Sequence, residues 1–162
     1  QVRLVLKYSH QNNKIHVELT WRNTSFDLYI YLCRNKTNKL LSEVQLRSIK
    51  PDDPAALIPV TLIETPLQLI QGAIYYRIYS DRLTRIRNKG LLLASMILGV
   101  KQLGELIDKL EKEVGRGVDY YLVSVDTPLD AVSECSSINM EEVRSTSLSA
   151  LVKNTQFVIS MI

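Results

Sequence analysis

The sequence predicts an α+β domain: a mostly antiparallel β-sheet or sandwich of about seven to eight strands, one long helix near 90–114 and a shorter helix near 139–153. Hydropathy alternates with period two through most of the first half of the chain, which is typical of half-buried antiparallel strands. From Leu91 onward the apolar residues recur at steps of three and four, which favours an amphipathic helix. A length of 162 residues suits one domain, so we predict a single domain over 1–162.

Two hairpins are predicted at the start of the chain. Residues 2–9 and 14–21 each alternate apolar and polar side chains, and the polar segment 10–13 between them suits a turn. A second hairpin is predicted from 26–33 and 40–49, joined by a polar and basic connection. These segments supply the first four strands of the predicted sheet.

The middle and the end of the chain are predicted to add a loop and several short strands. Several prolines make 50–59 a surface loop, because proline disfavours both helix and central strand. A short edge strand is expected at 60–63, and alternation predicts a strand at 73–80, followed by a basic loop. The same pattern predicts strands at 118–125 and 156–161.

The two predicted helices differ in their signals. The long one begins with an apolar run and continues as an amphipathic helix, with Gly115 and Gly117 as its stop. The shorter one carries Glu141 and Glu142 in its first turn, where the helix dipole favours acids. The apolar run spans about ten residues, too few to cross a bilayer.

Charge and cysteine usage bear on the partner and the compartment. Residues 1–100 carry a net charge of +7 and residues 101–162 a net charge of −4. The basic region 1–100 therefore suits an anionic partner or the acidic region of another copy. Cys33 and Cys135 lie in no metal or redox motif, and we expect each to be a small buried hydrophobe. With no signal peptide recognised, an intracellular, cytoplasmic location is predicted, with peripheral membrane contact as an alternative.

Residues that usually carry catalysis are scarce. His10 and His16 bracket one turn, and we expect no metal site there. The chain contains no G-x-S-x-G, H-E-x-x-H, P-loop or G-x-G-x-x-G motif. Asp52 and Asp53 lie between prolines, where a solvated turn is expected. We therefore predict that the protein is not an enzyme and uses no cofactor, metal or small-molecule substrate.

A basic stretch is the first candidate binding surface. Arginine forks suit phosphate oxygens, and tyrosine rings can stack on bases. The predicted anion-binding residues are Arg77, Arg82, Arg85, Arg87 and Lys89. Four tyrosines would form an aromatic platform if their predicted strands paired: Tyr29, Tyr31, Tyr75 and Tyr79. The alternative is that these tyrosines fill the second face of the sheet, with their hydroxyls reaching solvent.

An apolar stripe on the long helix is the second candidate surface, and its central residues are Leu103, Ile107 and Leu110. A helix of another copy or another protein would dock there, unless the stripe covers the domain's own sheet. The features together predict a non-enzymatic module for protein–protein interaction and self-association, with a basic loop for an anionic partner. The alternatives are a viral matrix-like structural protein contacting membrane and nucleoprotein, or an RNA-binding domain using the tyrosines and arginines.

Overall fold

The computed structural model describes seven stretches of the chain, which are 4–9, 14–19, 23–34, 53–82, 86–112, 118–128 and 135–137. Their fold is α+β with an antiparallel sheet, which confirms the predicted class. The described residues form six strands and three α-helices, fewer strands than the seven to eight predicted. The predicted strands at 40–49 and 156–161 and the predicted helix at 139–153 lie outside the described residues.

The sheet is the frame of the fold. Its strands are β1 (Leu4–Ser9), β2 (Lys14–Leu19), β3 (Thr24–Cys33), β4 (Ala55–Pro59), β5 (Tyr120–Val125) and β6 (Cys135–Ser137). The order across the sheet is β1-β2-β3-β5-β4, and every neighbouring pair is antiparallel. The short β6 pairs with the end of β3 on the edge that β2 leaves open. The predicted first hairpin is confirmed, with Ser9 opposite Lys14.

The first three strands follow the alternation seen in the sequence. In β2, Ile15 and Val17 are buried while the polar residues between them are half-exposed. They lie opposite Leu28 and Phe26 of β3, which are also buried. One face of this part of the sheet therefore belongs to the core, and the other face carries the polar side chains.

The strand β4 corrects the prediction of a surface loop over 50–59. All five of its residues are buried, so both of its faces are covered and no alternation marks it in the sequence. Its only ladder partner in the described sheet is β5, and Pro59 is its last residue, a place where a missing amide is tolerated. The edge strand predicted at 60–63 is also wrong, because Val60–Leu62 form a 3₁₀ turn.

The first helix, α1 (Leu67–Tyr79), replaces the strand predicted at 73–80. Its buried side includes Leu69, Ala73 and Tyr76, spaced by four and three, which is the periodicity of a helix face. The alternation between 74 and 79 was misleading because a helix rich in isoleucine and tyrosine can mimic period two over six residues. Glutamine, leucine and alanine upstream are the helix formers that decide the outcome.

The long helix predicted over 90–114 is two helices, α2 (Lys89–Leu98) and α3 (Leu103–Lys112). Gly99 ends α2 in the left-handed conformation at φ 67°, and its amide donates to the carbonyl of Ser95. The two axes are bent by 79°. In the described part of the chain no single helix has the length and apolar composition to span a membrane; α2 and α3 meet that test only when taken together.

The contact between α1 and α2 depends on a glycine. A Cβ atom on Gly72 would lie 2.6 Å from the Cα atom of Ile97 and 2.8 Å from its nitrogen, so only glycine lets the two backbones approach this closely. Gln68 is buried at the same contact, and its Nε2 donates to the carbonyl of Ile97 at 2.9 Å. The pair is thereby held in one relative position.

A disulfide corrects the expectation that each cysteine is a separate buried hydrophobe. Cys33 and Cys135 are directly opposite each other in the β3–β6 pair and are joined through their sulfurs. They are 102 residues apart in the chain. Sequence spacing carries no sign of this pairing, because the link exists only once β6 has been placed beside β3.

Candidate functional site

A pocket lies where the end of α1, the start of α2, the start of β4 and the end of β5 meet. Its volume is about 700 Å³. The two helices contribute through the last turn of α1 and the first turn of α2. The residues between them in the chain, 80–88, are called the basic segment. The strands contribute Pro54, just before β4, and residues 125–127 at the end of β5. The fold thus brings together segments that are far apart in sequence.

Three of the five predicted anion-binding residues line this pocket. Arg77 comes from α1, Arg87 from the segment before α2, and Lys89 is the first residue of α2. All three side chains are exposed. Arg82 is exposed on the turn after α1 and is not among the lining residues, and Arg85 lies outside the described residues.

The inner wall of the pocket is apolar. Tyr76, Ile86, Leu92 and Val125 line it, and each is buried. Burial raises the pKa of the Tyr76 phenol, the charge of Arg77 opposes that rise, and Asp81 adds to it. Tyr76 is therefore a neutral hydroxyl at neutral pH. The site combines cations with an apolar wall, a combination that suits a ligand with a charged end and a less polar body.

Two carboxylates share the lining with the three cations. Asp81 follows α1, and Asp126 follows β5. Asp126 has a φ of 62°, which aspartate tolerates better than most residues. Its Oδ1 accepts from the amide of Asp27 at 2.9 Å, and its own amide donates to the Asp27 carbonyl at 2.8 Å. This reciprocal pair anchors the end of β5 to β3 and holds one carboxylate oxygen at the strand.

The helix termini add to the electrostatics of the pocket. The first turn of α2 contributes Lys89 and Leu92, so the positive end of its dipole lies at the site. Asn88 caps this helix, accepting from the amide of Leu91 at 3.0 Å. The last turn of α1 brings the opposite, negative end, and Arg77 in that turn offsets it. The lining cations therefore determine the sign of the net charge in the pocket.

The predicted aromatic platform does not form from paired strands. Tyr75 and Tyr79 lie on α1, four residues apart, with their ring centroids 6.4 Å apart. Tyr29 and Tyr31 do share a face of β3, but Tyr31 is only 7% exposed.

Burial raises the pKa of both Tyr29 and Tyr31. The charges of Asp27 and Asp126 raise the pKa of Tyr29 further. The charge of ionised Tyr29 raises the pKa of Tyr31 further.

The predicted helix interface is divided between surface and core. On α3, Leu103 is 40% exposed and Ile107 is half-buried, whereas Leu110 is 5% exposed. Leu106, which was not part of the predicted stripe, is fully buried beside it. The helix therefore directs Leu106 and Leu110 into the core, and only Leu103 remains as a large exposed apolar side chain of the three.

A polar cluster lies on the exposed face of β2 and β3. His16 places Nδ1 2.8 Å from Oδ1 of Asp27 and Nε2 3.2 Å from Oε1 of Glu18. Lys7 and Lys14 lie within ion-pair distance of the same two carboxylates. No group of three or more histidine, cysteine or acidic side chains among the described residues is arranged to hold a metal ion.

Sequence reasoning missed the residues that complete the pocket. Tyr76 is absent from the predicted platform because strand alternation assigns Tyr75 and Tyr79 to the opposite face, whereas helical spacing from Leu69 indicates that Tyr76 is buried. The carboxylate of Asp126 carries no local signal that places it in this pocket. Comparison of the chain with protein-family models, with curated proteins and with solved structures found no match.

Proposed function

We propose that this protein is a non-enzymatic binding module that receives an anionic group of a partner in the pocket between α1 and α2. The observation that carries the proposal is the convergence of Arg77, Arg87 and Lys89 around one pocket. Arg77 and Lys89 belong to the two helices and Arg87 lies just before α2, so a cluster that is local in the sequence lines one pocket in the fold. Arginine forks and a lysine ammonium together are suited to phosphate or carboxylate oxygens.

Charge balance limits the kind of anion that fits. Three cations and the positive end of α2 face two carboxylates and the negative end of α1, so the excess of positive charge is modest. Such a site favours one anionic group at a defined point over a uniform polyanion coating. The proposal therefore predicts binding that depends on a few named side chains.

RNA is the second candidate partner, and the apolar wall favours it. Tyr76, Ile86 and Leu92 provide apolar surface beside the cations. A nucleotide presents a phosphate and a flat base, which match those two kinds of surface. An acidic protein segment would use the cations and leave the apolar wall without a defined role.

Fluorescence anisotropy with two labelled probes tests both candidates. The probes are a single-stranded RNA and a peptide of aspartate and glutamate of equal length, titrated at low salt. The double variant Arg87→Gln/Lys89→Gln removes two cations of the pocket. The matched control is Lys101→Gln, which removes an exposed cation beyond the far end of α2, about 15 Å away by helix length.

The expected result is a clear loss of affinity in the double variant and none in the control. For RNA, affinity should fall as the salt concentration rises, and the slope should be shallower in the double variant because fewer counterions are released when two cations are removed. Loss for RNA alone favours the RNA-binding function, and loss for both probes favours a general anion site. Equal affinity of variant and control, or no binding of either probe, contradicts the proposal.

Self-association is the other half of the proposed function. The exposed Leu103 and the half-buried Ile107 on α3 are the side chains that support it. Light scattering across a range of concentrations should show a rise in mass that Leu103→Gln reduces, because that variant removes apolar surface without emptying the core. A constant monomer mass for the parent protein would rule this half out. The matrix-like alternative, with its lipid contact, stays a prediction.

A further inference from the structure

Among the described residues, the strand β6 is held to the sheet by few interactions other than its disulfide. It pairs with β3 over three residues, whereas β5 pairs with the same strand over six. The hydroxyl of Ser136 donates to the carbonyl of Leu32 at 3.4 Å, near the limit for a hydrogen bond. Such a short strand gains little from its ladder, so the Cys33–Cys135 bond is its principal attachment within the part of the chain that the structure describes.

The two sulfurs differ in how accessible their residues are. Cys33 is fully buried within β3, while Cys135 is half-buried. Thiol–disulfide exchange begins with attack of a thiolate on one sulfur of the disulfide, and access helps decide which sulfur is attacked. The geometry therefore directs a reductant to Cys135.

The disulfide also holds the residue at which the connection after β5 ends. Thr127 lines the pocket, and seven residues separate it from Cys135. With the disulfide intact, this connection is tied to the sheet at both ends, by β5 and by β6. Without it, only the β5 end keeps an extended ladder.

We propose that the Cys33–Cys135 disulfide is a redox-sensitive latch, which a dithiol reductant opens to release β6 from β3 while the rest of the sheet stays folded. A thiolate of the dithiol attacks Sγ of Cys135, the bond to Cys33 breaks, and Cys33 leaves as a thiolate that takes up a proton. The second thiol then displaces Cys135 as a thiol. The net result is two cysteine thiols and an oxidised dithiol.

Disulfides persist in oxidising compartments and are rare where dithiol proteins keep thiols reduced. An oxidising compartment would keep the latch closed. The state of β6 would thus follow the redox state of the protein's surroundings.

Hydrogen exchange measured by mass spectrometry tests the latch on the full chain. Three samples are compared: the oxidised protein, the protein reduced with dithiothreitol, and the Cys135→Ser variant. Exchange of the amides of 135–137 should accelerate at least about tenfold in the reduced protein and the variant, while β2 and the facing half of β3 keep their protection. The Ser136→Ala variant keeps the disulfide and should exchange like the oxidised parent.

Two results would overturn the latch. Equal protection of 135–137 in the oxidised and reduced protein would show that the ladder alone holds β6. Loss of protection throughout β2 and β3 on reduction would show that the disulfide stabilises the whole domain instead of one strand. Dithiothreitol should have no effect on the Cys135→Ser variant. The readout does not involve an anion, so it stands apart from the test of the pocket.

Discussion

The strands β2 and β4, which lie towards opposite edges of the sheet, differ in how many of their faces are covered. On the β2 side, Ile15 and Val17 are buried while His16 and Glu18 on the opposite face are partly exposed. On the β4 side, all five residues of the strand are buried. The face that carries Glu18 in β2 continues across β3 and β5 to Leu57, because opposed residues of neighbouring strands share a face.

The difference explains why β2 is visible in the sequence and β4 is not. Alternating hydropathy records one face in water and one in the core. A strand covered on both faces has an apolar run with no period, and in β4 the nearby prolines also suggested a loop. The sequence pattern therefore reports solvent exposure as much as it reports the strand itself.

The largest expected effect comes from shortening a buried side chain on the face of the sheet that carries both Glu18 and Leu57. Leu57→Ala should lower the free energy of unfolding by about 2–5 kcal/mol, because it leaves a cavity where the side chain is buried. Glu18→Ala is the matched change on the same face of β2. It removes only partly exposed polar contacts with Lys7 and His16, worth up to about 1 kcal/mol. Urea unfolding measures both, and equal losses would contradict the comparison.

A smaller effect is expected where α2 approaches β4. A Cβ atom on Gly90 would collide with the carbonyl oxygen of Ala55, so Gly90→Ala should destabilise the protein by about 1–3 kcal/mol. Gly104 on α3 has nothing within 4 Å of such an atom, and Gly104→Ala should be neutral or stabilise by up to about 1 kcal/mol. Thermal unfolding compares the two. A harmless Gly90→Ala would mean that this close approach is not required.

The smallest expected effect is a loss of stability in alkali. Burial, and secondarily the charge of ionised Tyr29, raises the pKa of Tyr31 above its ordinary value of 10.0. The folded state therefore favours the neutral phenol; this contribution is complete below pH 10.0 and disappears as the pH rises through the higher folded-state pKa. Tyr31→Phe should reduce the alkaline loss in denaturant titrations. An unchanged pH profile would indicate that Tyr31 titrates alike in both states.

The candidate site was predicted in part. Arg77, Arg87 and Lys89 stood out because cations cluster in that segment of the chain, and a cluster is a local property. Tyr76 and Asp126 did not stand out, because one depends on a helix that resembled a strand and the other on the end of a distant strand. The apolar wall could not be identified from the segment that carries the cations.

The sequence alone determined the hairpin of β1 and β2, the strand β3, the strand β5 and the basic segment between α1 and α2. Each of these leaves a mark within a few neighbouring residues, as a period of two or as a run of charge. Tertiary structure decided the covered strand β4 and the disulfide between Cys33 and Cys135, because both depend on segments that are distant in the chain. The break at Gly99 is different, because a glycine that permits a helix to end is a local signal.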